Sequence, residues 1–172
     1  ANHWASDYIL KAYKNNWIRG VTDTAFSPEK SLTRAESAAM LVRMLGLTTK
    51  TGEVPAFTDI SGHWARDEII TAWNANIVKG ISEDFFEPEA PVTREQMAVI
   101  LNNILKMYSI SGSGQPVSFS DVGTGVESLA RDAIYQAARL GILSGFEDGS
   151  FRSGQALTRG QMTTIMYKLE NV

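Results

Sequence analysis

The sequence predicts a mainly α-helical fold built from three helix–loop–helix repeats. Two internal alignments support this prediction: residues 3–20 match residues 63–80 at a shift of 60 positions, and residues 129–145 match the second copy at a shift of 65. Each copy continues into a stretch that begins Thr-Arg and has helical apolar spacing. Because a two-helix unit cannot bury both of its faces, we expect the copies to pack as one pseudo-threefold body. The second helices would form a central three-helix bundle, with the first helices as three outer prongs.

The elements follow in the same order in every copy. A first helix, helix A, is predicted over 3–16, 64–76 and 128–140, where apolar residues recur three positions apart. A glycine then ends the segment, and a loop with an inward-facing phenylalanine follows (Phe26, Phe86, Phe151). Helix B begins at the threonine of Thr-Arg, and a Phe-x-Asp opening precedes copies two and three. The predicted repeats span 1–46, 57–106 and 119–170, joined by Gly-, Ser- and Thr-rich linkers at 47–56 and 107–118 within a single domain, 1–172.

The composition excludes several classes of function. The 172 residues are 44% apolar and 20% charged, with a net charge of -3, so bulk charge attracts neither nucleic acid nor anionic lipid. The absence of cysteine excludes a disulfide, a thiolate nucleophile and a Cys-type zinc site. No apolar run approaches the roughly 18 residues of a membrane span. We interpret the opening ANHWASDYI as a mature or trimmed start.

The start of helix B combines a capping motif with an unexpected charge. Thr33 is followed three positions later by Glu36, which predicts a capping box. Arg34 directly follows this threonine, and its positive charge opposes the helix dipole. The other copies repeat the pattern with Thr93, Arg94 and Gln96, and with Thr158, Arg159 and Gln161.

Two explanations of these arginines are open from the residues alone. Each arginine could pair with a carboxylate of a neighbouring copy, because an aspartate recurs in helix A (Asp7, Asp67, Asp132). Alternatively, each arginine could hold an external anion together with the free amides of the helix N-terminus, since a guanidinium grips a carboxylate through two hydrogen bonds.

The repeat resembles the S-layer homology module. The resemblance rests on His-Trp-Ala at helix A, the glycine, the Phe-x-Pro loop and the Thr-Arg start of helix B, and it covers nearly all of the chain. Copies two and three depart from Thr-Arg-Ala-Glu with Thr-Arg-Glu-Gln and Thr-Arg-Gly-Gln, and copy three replaces His-Trp with Ser128-Leu129. The resemblance implies a central three-helix fold with ligand grooves between three prongs.

The resemblance also implies a function. Such domains anchor secreted surface proteins, S-layer proteins in particular, non-covalently to the Gram-positive cell wall. They do so by binding a peptidoglycan-linked secondary wall polysaccharide. The recognised end is pyruvylated N-acetylmannosamine, which supplies a carboxylate. Carried onto this sequence, the carboxylate clamp is Arg34, Arg94 and Arg159, each at the mouth of a groove and assisted by the helix amides. We expect no cofactor, no nucleic acid, no membrane partner, and a monomeric isolated domain.

Other repeated residues have two interpretations each. The glycines (Gly20, Gly80, Gly145) serve either as turn residues with positive φ or as places where a sugar approaches the backbone. Trp4 and Trp64 align with Leu129, which favours a core position. Tyr13 and Trp73 align with Ala138, which makes them candidates for sugar contact or for a partly buried helix face. His3 and His63 make a poor metal set and are expected to cap or pack at helix A.

The sequence favours binding over catalysis. It contains no Ser-His-Asp pattern and no carboxylate pair that stands apart from the repeats, although a glycosidase pair is compatible with it. A repeated site suits a binding module, because several weak contacts to one polymer gain avidity. The alternatives are a helical scaffold for protein partners and, less favoured, a wall-acting glycoside hydrolase.

Overall fold

The computed structural model describes residues 3–48, 52–112, 114–123 and 125–172. It is mainly helical, as predicted, and the described ranges hold three isolated β-bridges but no longer strand. Helix A of the repeats is α1 (Ser6–Lys14), α3 (Arg66–Asn74) and α5 (Ser128–Arg139). Helix B is α2 (Arg34–Met44), α4 (Arg94–Met107) and α6 (Arg159–Glu170), and a 3-10 turn at Thr58–Ile60 precedes α3.

Helix A begins later than predicted in the first two repeats. The amide of Ser6 donates to the carbonyl of His3 at 2.9 Å, and the amide of Arg66 donates to the carbonyl of His63 at 3.0 Å. These bonds close a turn that contains the His-Trp pair, so the pair lies before the helix. In the third repeat α5 begins at Ser128, at the predicted position.

The apolar spacing identified most of the core correctly, although Ile9 and Met44 are only half-buried. Ile69 of α3 and Ile134 of α5 are fully buried, and so are Leu41 of α2 and Leu101 of α4. The loop phenylalanines point inward as expected: Phe86 and Phe151 are buried and Phe26 is half-buried.

The chain divides into two compact units. The first comprises Ala1–Val92 with Leu157–Tyr167, and within it α2 packs against α3. The second comprises Thr93–Ala156 with Lys168–Val172, and within it α4 packs against α5. The pseudo-threefold body with a central bundle stays a prediction, as does the single-domain boundary.

A ring of backbone hydrogen bonds lies within the first unit. The amide of Leu32 donates to the carbonyl of Leu157 at 2.8 Å, the amide of Leu157 donates to the carbonyl of Val92 at 3.0 Å, and the amide of Val92 donates to the carbonyl of Leu32 at 2.9 Å. All three side chains are buried. These residues stand directly before the capping threonines of the three repeats. We name it the Leu32 ring.

Within the described ranges, no helix combines the length and the apolar character that crossing a membrane requires.

Candidate functional site

The capping boxes predicted at the start of helix B are present. Thr33 Oγ1 accepts from the Glu36 amide at 3.1 Å, and Glu36 Oε2 accepts from the Thr33 amide at 3.0 Å. Two reciprocal bonds of this kind satisfy amides that a helix N-terminus otherwise leaves unpaired. The same pair of bonds joins Thr93 with Gln96 and Thr158 with Gln161.

The first two helical amides are also occupied, which corrects the expectation that they would assist an anion. In α2 the amide of Arg34 donates to the carbonyl of Ala90 and the amide of Ala35 donates to the carbonyl of Pro88, both at 2.9 Å. Equivalent carbonyls serve α4 (from Gln155 and Ser153) and α6 (from Lys30 and Pro28). Because these donors already have acceptors within the protein, the helix N-terminus is not an open anion site.

The motif arginines are buried and bind backbone carbonyls. Arg34 Nε donates to the carbonyl of Phe86 at 2.8 Å, and its Nη2 donates to the carbonyl of Lys79 at 2.9 Å. Only 7% of Arg34 is exposed, so the guanidinium does not face outward as the sequence suggested. The other two arginines bind the same way: Arg94 to Phe151 and Ser144, and Arg159 to Phe26 and Arg19.

Each guanidinium also lies over the phenylalanine whose carbonyl it binds. The distance from the Arg34 Cζ to the centre of the Phe86 ring is 4.6 Å, and the Arg159–Phe26 and Arg94–Phe151 distances are 4.5 and 4.4 Å. The ring face attracts the cation. Burial lowers the pKa of the Arg34 guanidinium, an effect that the nearby Glu87 and Asp59 oppose, and an arginine remains charged despite such a shift.

The pairing with helix A aspartates is wrong, because the motif arginines bind none of Asp7, Asp67 and Asp132. Among the described residues, one motif arginine has a carboxylate partner of another kind. Arg159 Nη1 donates to Glu36 Oε1 at 2.7 Å. Among the described residues, Nη1 of Arg34 and Nη1 of Arg94 have no hydrogen-bond acceptor.

A pocket of about 310 Å³ lies beside Arg159 within the first unit. We name it the Arg159 pocket. Trp64 forms one wall, and Gly20 and Thr33 contribute to the lining. Its charged lining comprises four basic residues (Arg19, Lys30, Arg43, Arg159) and two acidic ones (Glu36, Glu89). The excess of positive charge in a concave surface makes this pocket a candidate anion-binding site.

Comparison with known proteins identifies the repeat. The family model of the S-layer homology domain matches residues 1–38, 56–98 and 118–163. The chain belongs to the S-layer homology family. This result confirms the resemblance seen at the Thr-Arg helix starts, and the surface proteins among its relatives agree with the predicted location at the surface of a Gram-positive bacterium.

Named relatives share this region with otherwise different proteins. The chain is 33% identical to the amylopullulanase of Thermoanaerobacterium thermosulfurigenes over 98% of this chain and 9% of that protein. It is 31% identical to the S-layer protein sap of Bacillus anthracis over 72% of this chain and 15% of that protein. It is 29% identical to the cellulosome-anchoring protein of Acetivibrio thermocellus over 81% of this chain and 32% of that protein. The chain therefore spans about a third or less of the length of these curated relatives.

The repeated glycines of the S-layer homology modules are required by packing. A Cβ on Gly80 would lie 2.8 Å from Phe57 Cζ and would also meet the carbonyl of Ser82. A Cβ on Gly145 would lie 2.5 Å from Phe119 and 2.8 Å from the carbonyl of Ser150. The predicted positive φ is wrong at these positions, since the glycines with positive φ lie elsewhere. Gly20 would likewise meet its own loop, at 2.7 Å from the carbonyl of Ala25.

The aspartate of Phe-x-Asp anchors the loop, a role that sequence reasoning missed. Asp121 accepts from the amides of Phe151 and Arg152, both at 2.7 Å. These hydrogen bonds lower the pKa of its carboxyl, and the bond from Phe151 has the larger effect. Arg152 has a φ of 59°, which turns two successive amides toward one acceptor. Asp59 accepts from Phe86 and Glu87 in the same way. The recurrence of the Phe-x-Asp opening was the signal that could have indicated this role.

The histidines lie in the turn before helix A rather than at its first residues. His3 Nδ1 accepts from the Ala5 amide and His63 Nδ1 accepts from the Ala65 amide, both at 3.1 Å. Their Nε2 atoms contact Glu29 and Glu89. Across the described ranges, no group of three or more His, Cys, Asp or Glu side chains is placed to hold a metal ion.

The aromatic side chains differ from expectation in one respect. Trp4 and Trp64 are 57% and 58% exposed, so their predicted place in the core is wrong. Leu129 at the same position is also exposed, which shows that its apolar character alone did not indicate burial. Trp73 is half-buried, whereas Tyr13 is exposed. Trp64 lines the Arg159 pocket and is a functional candidate that the sequence interpretation overlooked.

Proposed function

We propose that this S-layer homology chain anchors a surface protein non-covalently to the cell wall by binding an acidic polysaccharide of that wall. Two relatives support this role by their names, one an S-layer protein and the other a cellulosome-anchoring protein. The chain would act as a binding module. The relatives named for a glycosidase activity have most of their length outside the shared region.

The charge of the Arg159 pocket is the observation that carries the proposal. Arg159 is already paired with Glu36, and Arg43 Nη2 is paired with Glu68 at 3.0 Å. Arg19 and Lys30 are exposed and have no carboxylate partner among the described residues. We therefore assign the carboxylate contact to Arg19 and Lys30. Arg159 would supply a fixed, buried positive charge behind them rather than the primary clamp.

Trp64 suits the sugar ring of the same ligand. Its side chain is largely exposed and forms part of the pocket lining. The axial C–H face of a pyranose is apolar, and an exposed indole offers it a large rigid surface. A pyruvate ketal on N-acetylmannosamine carries both features, a carboxylate and a pyranose ring. The pocket volume lies near the lower end of the range for small-ligand sites, about 300–1,000 Å³, which suits a terminal residue of the polymer.

The three repeats are not expected to contribute equally. The positions of Arg19 and Lys30 correspond to Lys79 and Ala90 in repeat two and to Ser144 and Gln155 in repeat three. Repeat one therefore has two exposed cations, repeat two has one and repeat three has none at these positions. We propose that the first repeat binds the acidic residue most tightly.

Sedimentation with purified walls tests the function. We expect the chain to sediment with intact walls and to remain in solution after hydrofluoric acid has removed the polysaccharide. Calorimetric titration with pyruvylated N-acetylmannosamine should show binding that Arg19→Ala with Lys30→Ala weakens about tenfold or more. The control pair Lys14→Ala with Lys106→Ala changes the net charge equally outside the pocket and should bind normally. Equal sedimentation before and after extraction would refute polysaccharide anchoring, and time-dependent release of soluble sugar would indicate a hydrolase.

A further inference from the structure

A second pocket lies within the first unit. Its volume is about 580 Å³, and the two pockets share no lining residue. Trp73 of α3 forms one wall and Phe57 of the Phe-x-Asp opening contributes another. We name it the Trp73 pocket.

The wall opposite α3 is held in place by hydrogen bonds. Asn74 Nδ2 donates to the carbonyl of Glu53 at 3.0 Å, which ties the segment before the second repeat to α3. The amide of Thr58 donates to the carbonyl of Asp84 at 2.8 Å, which ties the same segment to the loop. The Trp73 pocket is therefore formed in the chain without a ligand, as small-molecule sites usually are.

The polar lining of this pocket differs in charge from that of the Arg159 pocket. Lys79 is its one basic residue, against Glu53 and Glu83. Asn76, whose φ is 56°, and Ser82 add an amide and a hydroxyl. Uncharged hydrogen-bonding groups and carboxylates suit sugar hydroxyls, whereas two carboxylates against one ammonium disfavour an acidic ligand.

We propose that the Trp73 pocket is a second saccharide site, specific for neutral pyranosides. The half-buried indole provides the face on which the ring stacks, and the polar lining accepts and donates to its hydroxyls. This inference rests on the proposed function in so far as both assign saccharide binding to the chain. It adds a contact of different chemistry, so that one unit engages an acidic residue and a neutral residue of the wall at once and gains avidity.

The other repeats supply natural substitutions for the test. Trp73 corresponds to Tyr13 in repeat one and to Ala138 in repeat three. Trp73→Tyr keeps an aromatic face and Trp73→Ala removes it, and both introduce a residue that helix A already carries elsewhere in the chain. The third repeat therefore lacks the stacking face.

Nuclear magnetic resonance titration of the whole chain tests the proposal. The indole N–H signals of Trp4, Trp17, Trp64 and Trp73 report separately on each side chain. The neutral probe is tetra-N-acetylchitotetraose and the acidic probe is pyruvylated N-acetylmannosamine. We expect the neutral probe at millimolar concentration to shift the Trp73 signal and leave that of Trp64 unchanged. Trp73→Ala should weaken this binding about tenfold or more, and Trp73→Tyr should largely retain it.

The possible outcomes separate the two proposals. Failure of the neutral probe to shift the Trp73 signal, or unchanged affinity in Trp73→Ala, would overturn the second site. Loss of acidic binding in Trp64→Ala, with neutral binding intact, would support two independent sites. Failure of the acidic probe to bind, with a neutral shift at Trp73, would refute the proposed function and leave the second site standing. Should Trp73→Ala unfold, the wild-type shift is compared with that of Asn76→Gly, which keeps the positive φ but removes the amide. A weaker shift in Asn76→Gly would support the site, and an unchanged shift would overturn it.

Discussion

Arg159 Nη1 donates to Glu36 Oε1 at 2.7 Å, in an ion pair whose side chains are only 3% and 13% exposed. The same carboxylate closes the capping box of α2 through its other oxygen. Glu36 therefore joins the start of one B helix to the arginine of another repeat. In the second and third repeats a glutamine occupies its position and forms the box alone.

Glu36→Gln should separate these two roles. The substitution keeps the capping box, as Gln96 and Gln161 do, but it removes the charge that faces Arg159. We expect the free energy of unfolding to fall by about 1–2 kcal/mol, measured by urea denaturation. Glu36→Ala should cost about 1 kcal/mol more because it also loses the cap contact. Glu36→Gln with unchanged stability would show that the ion pair contributes nothing net.

Arg34→Ala should destabilise the chain. The side chain makes two hydrogen bonds to carbonyls and one ring contact while buried, so its removal leaves the carbonyls of Lys79 and Phe86 without that donor. We expect a loss of about 3 kcal/mol in the free energy of unfolding. Arg34→Lys should recover little, because an ammonium cannot reproduce the planar fork.

Arg19→Ala is the matched control for this measurement. Arg19 is an exposed arginine, and only its backbone carbonyl takes part in binding Arg159. Its removal should change stability by less than about 0.5 kcal/mol. If Arg34→Ala were as mild as Arg19→Ala, the arginine would be a ligand contact rather than a structural one.

Gly80→Ala should be destabilising although the glycine has ordinary backbone angles. The new methyl group would overlap the Phe57 ring and the Ser82 carbonyl, and overpacking of this kind costs about 1–3 kcal/mol. Gly154→Ala is the control, because a Cβ there meets nothing within 4 Å. Thermal unfolding of the two variants measures the difference, and similar melting temperatures would contradict the packing explanation.

Asp121 should make stability depend on pH in the acid range. Its pKa is lowered from the ordinary value of 3.8 by the amides of Phe151 and Arg152. A carboxyl with a lowered folded pKa stabilises the fold above its unfolded pKa, and this contribution disappears as the pH falls through the folded value. Asp121→Asn should therefore be less stable than the wild type at pH 7, and the gap should close below pH 3.8. Urea midpoints measured across the acid range check this, and a gap that stays constant would contradict it.

The repeats, the caps and the core were predictable because they depend on local spacing. Thr33 and Glu36 are three residues apart in one helix, so the sequence alone determines their contact. Ile69 and Leu101 lie on apolar helix faces, which periodicity reveals. The direction of the Arg34 side chain was not predictable in the same way. Its acceptors are backbone carbonyls, and every residue has one, so no side chain marks where Arg34 binds.

The pocket residues escaped prediction for a different reason. The interpretation relied on similarity between repeats, and Arg19, Lys30 and Trp64 differ between them. Trp64 was assigned to the core because a leucine replaces it in repeat three. The structure shows that this position is exposed in either case, so the substitution reflects a change at the surface rather than a conserved interior.

The Leu32 ring has a numerical consequence. Each of its members uses one donor and one acceptor, and the circuit closes after the third. A chain truncated to two modules would leave one backbone amide and one backbone carbonyl of the ring buried without a hydrogen-bond partner. A fourth module would find every donor and acceptor of the ring already in use. Tandem duplication of this unit should therefore proceed by adding whole triplets, and a single additional module should remain outside the closed circuit.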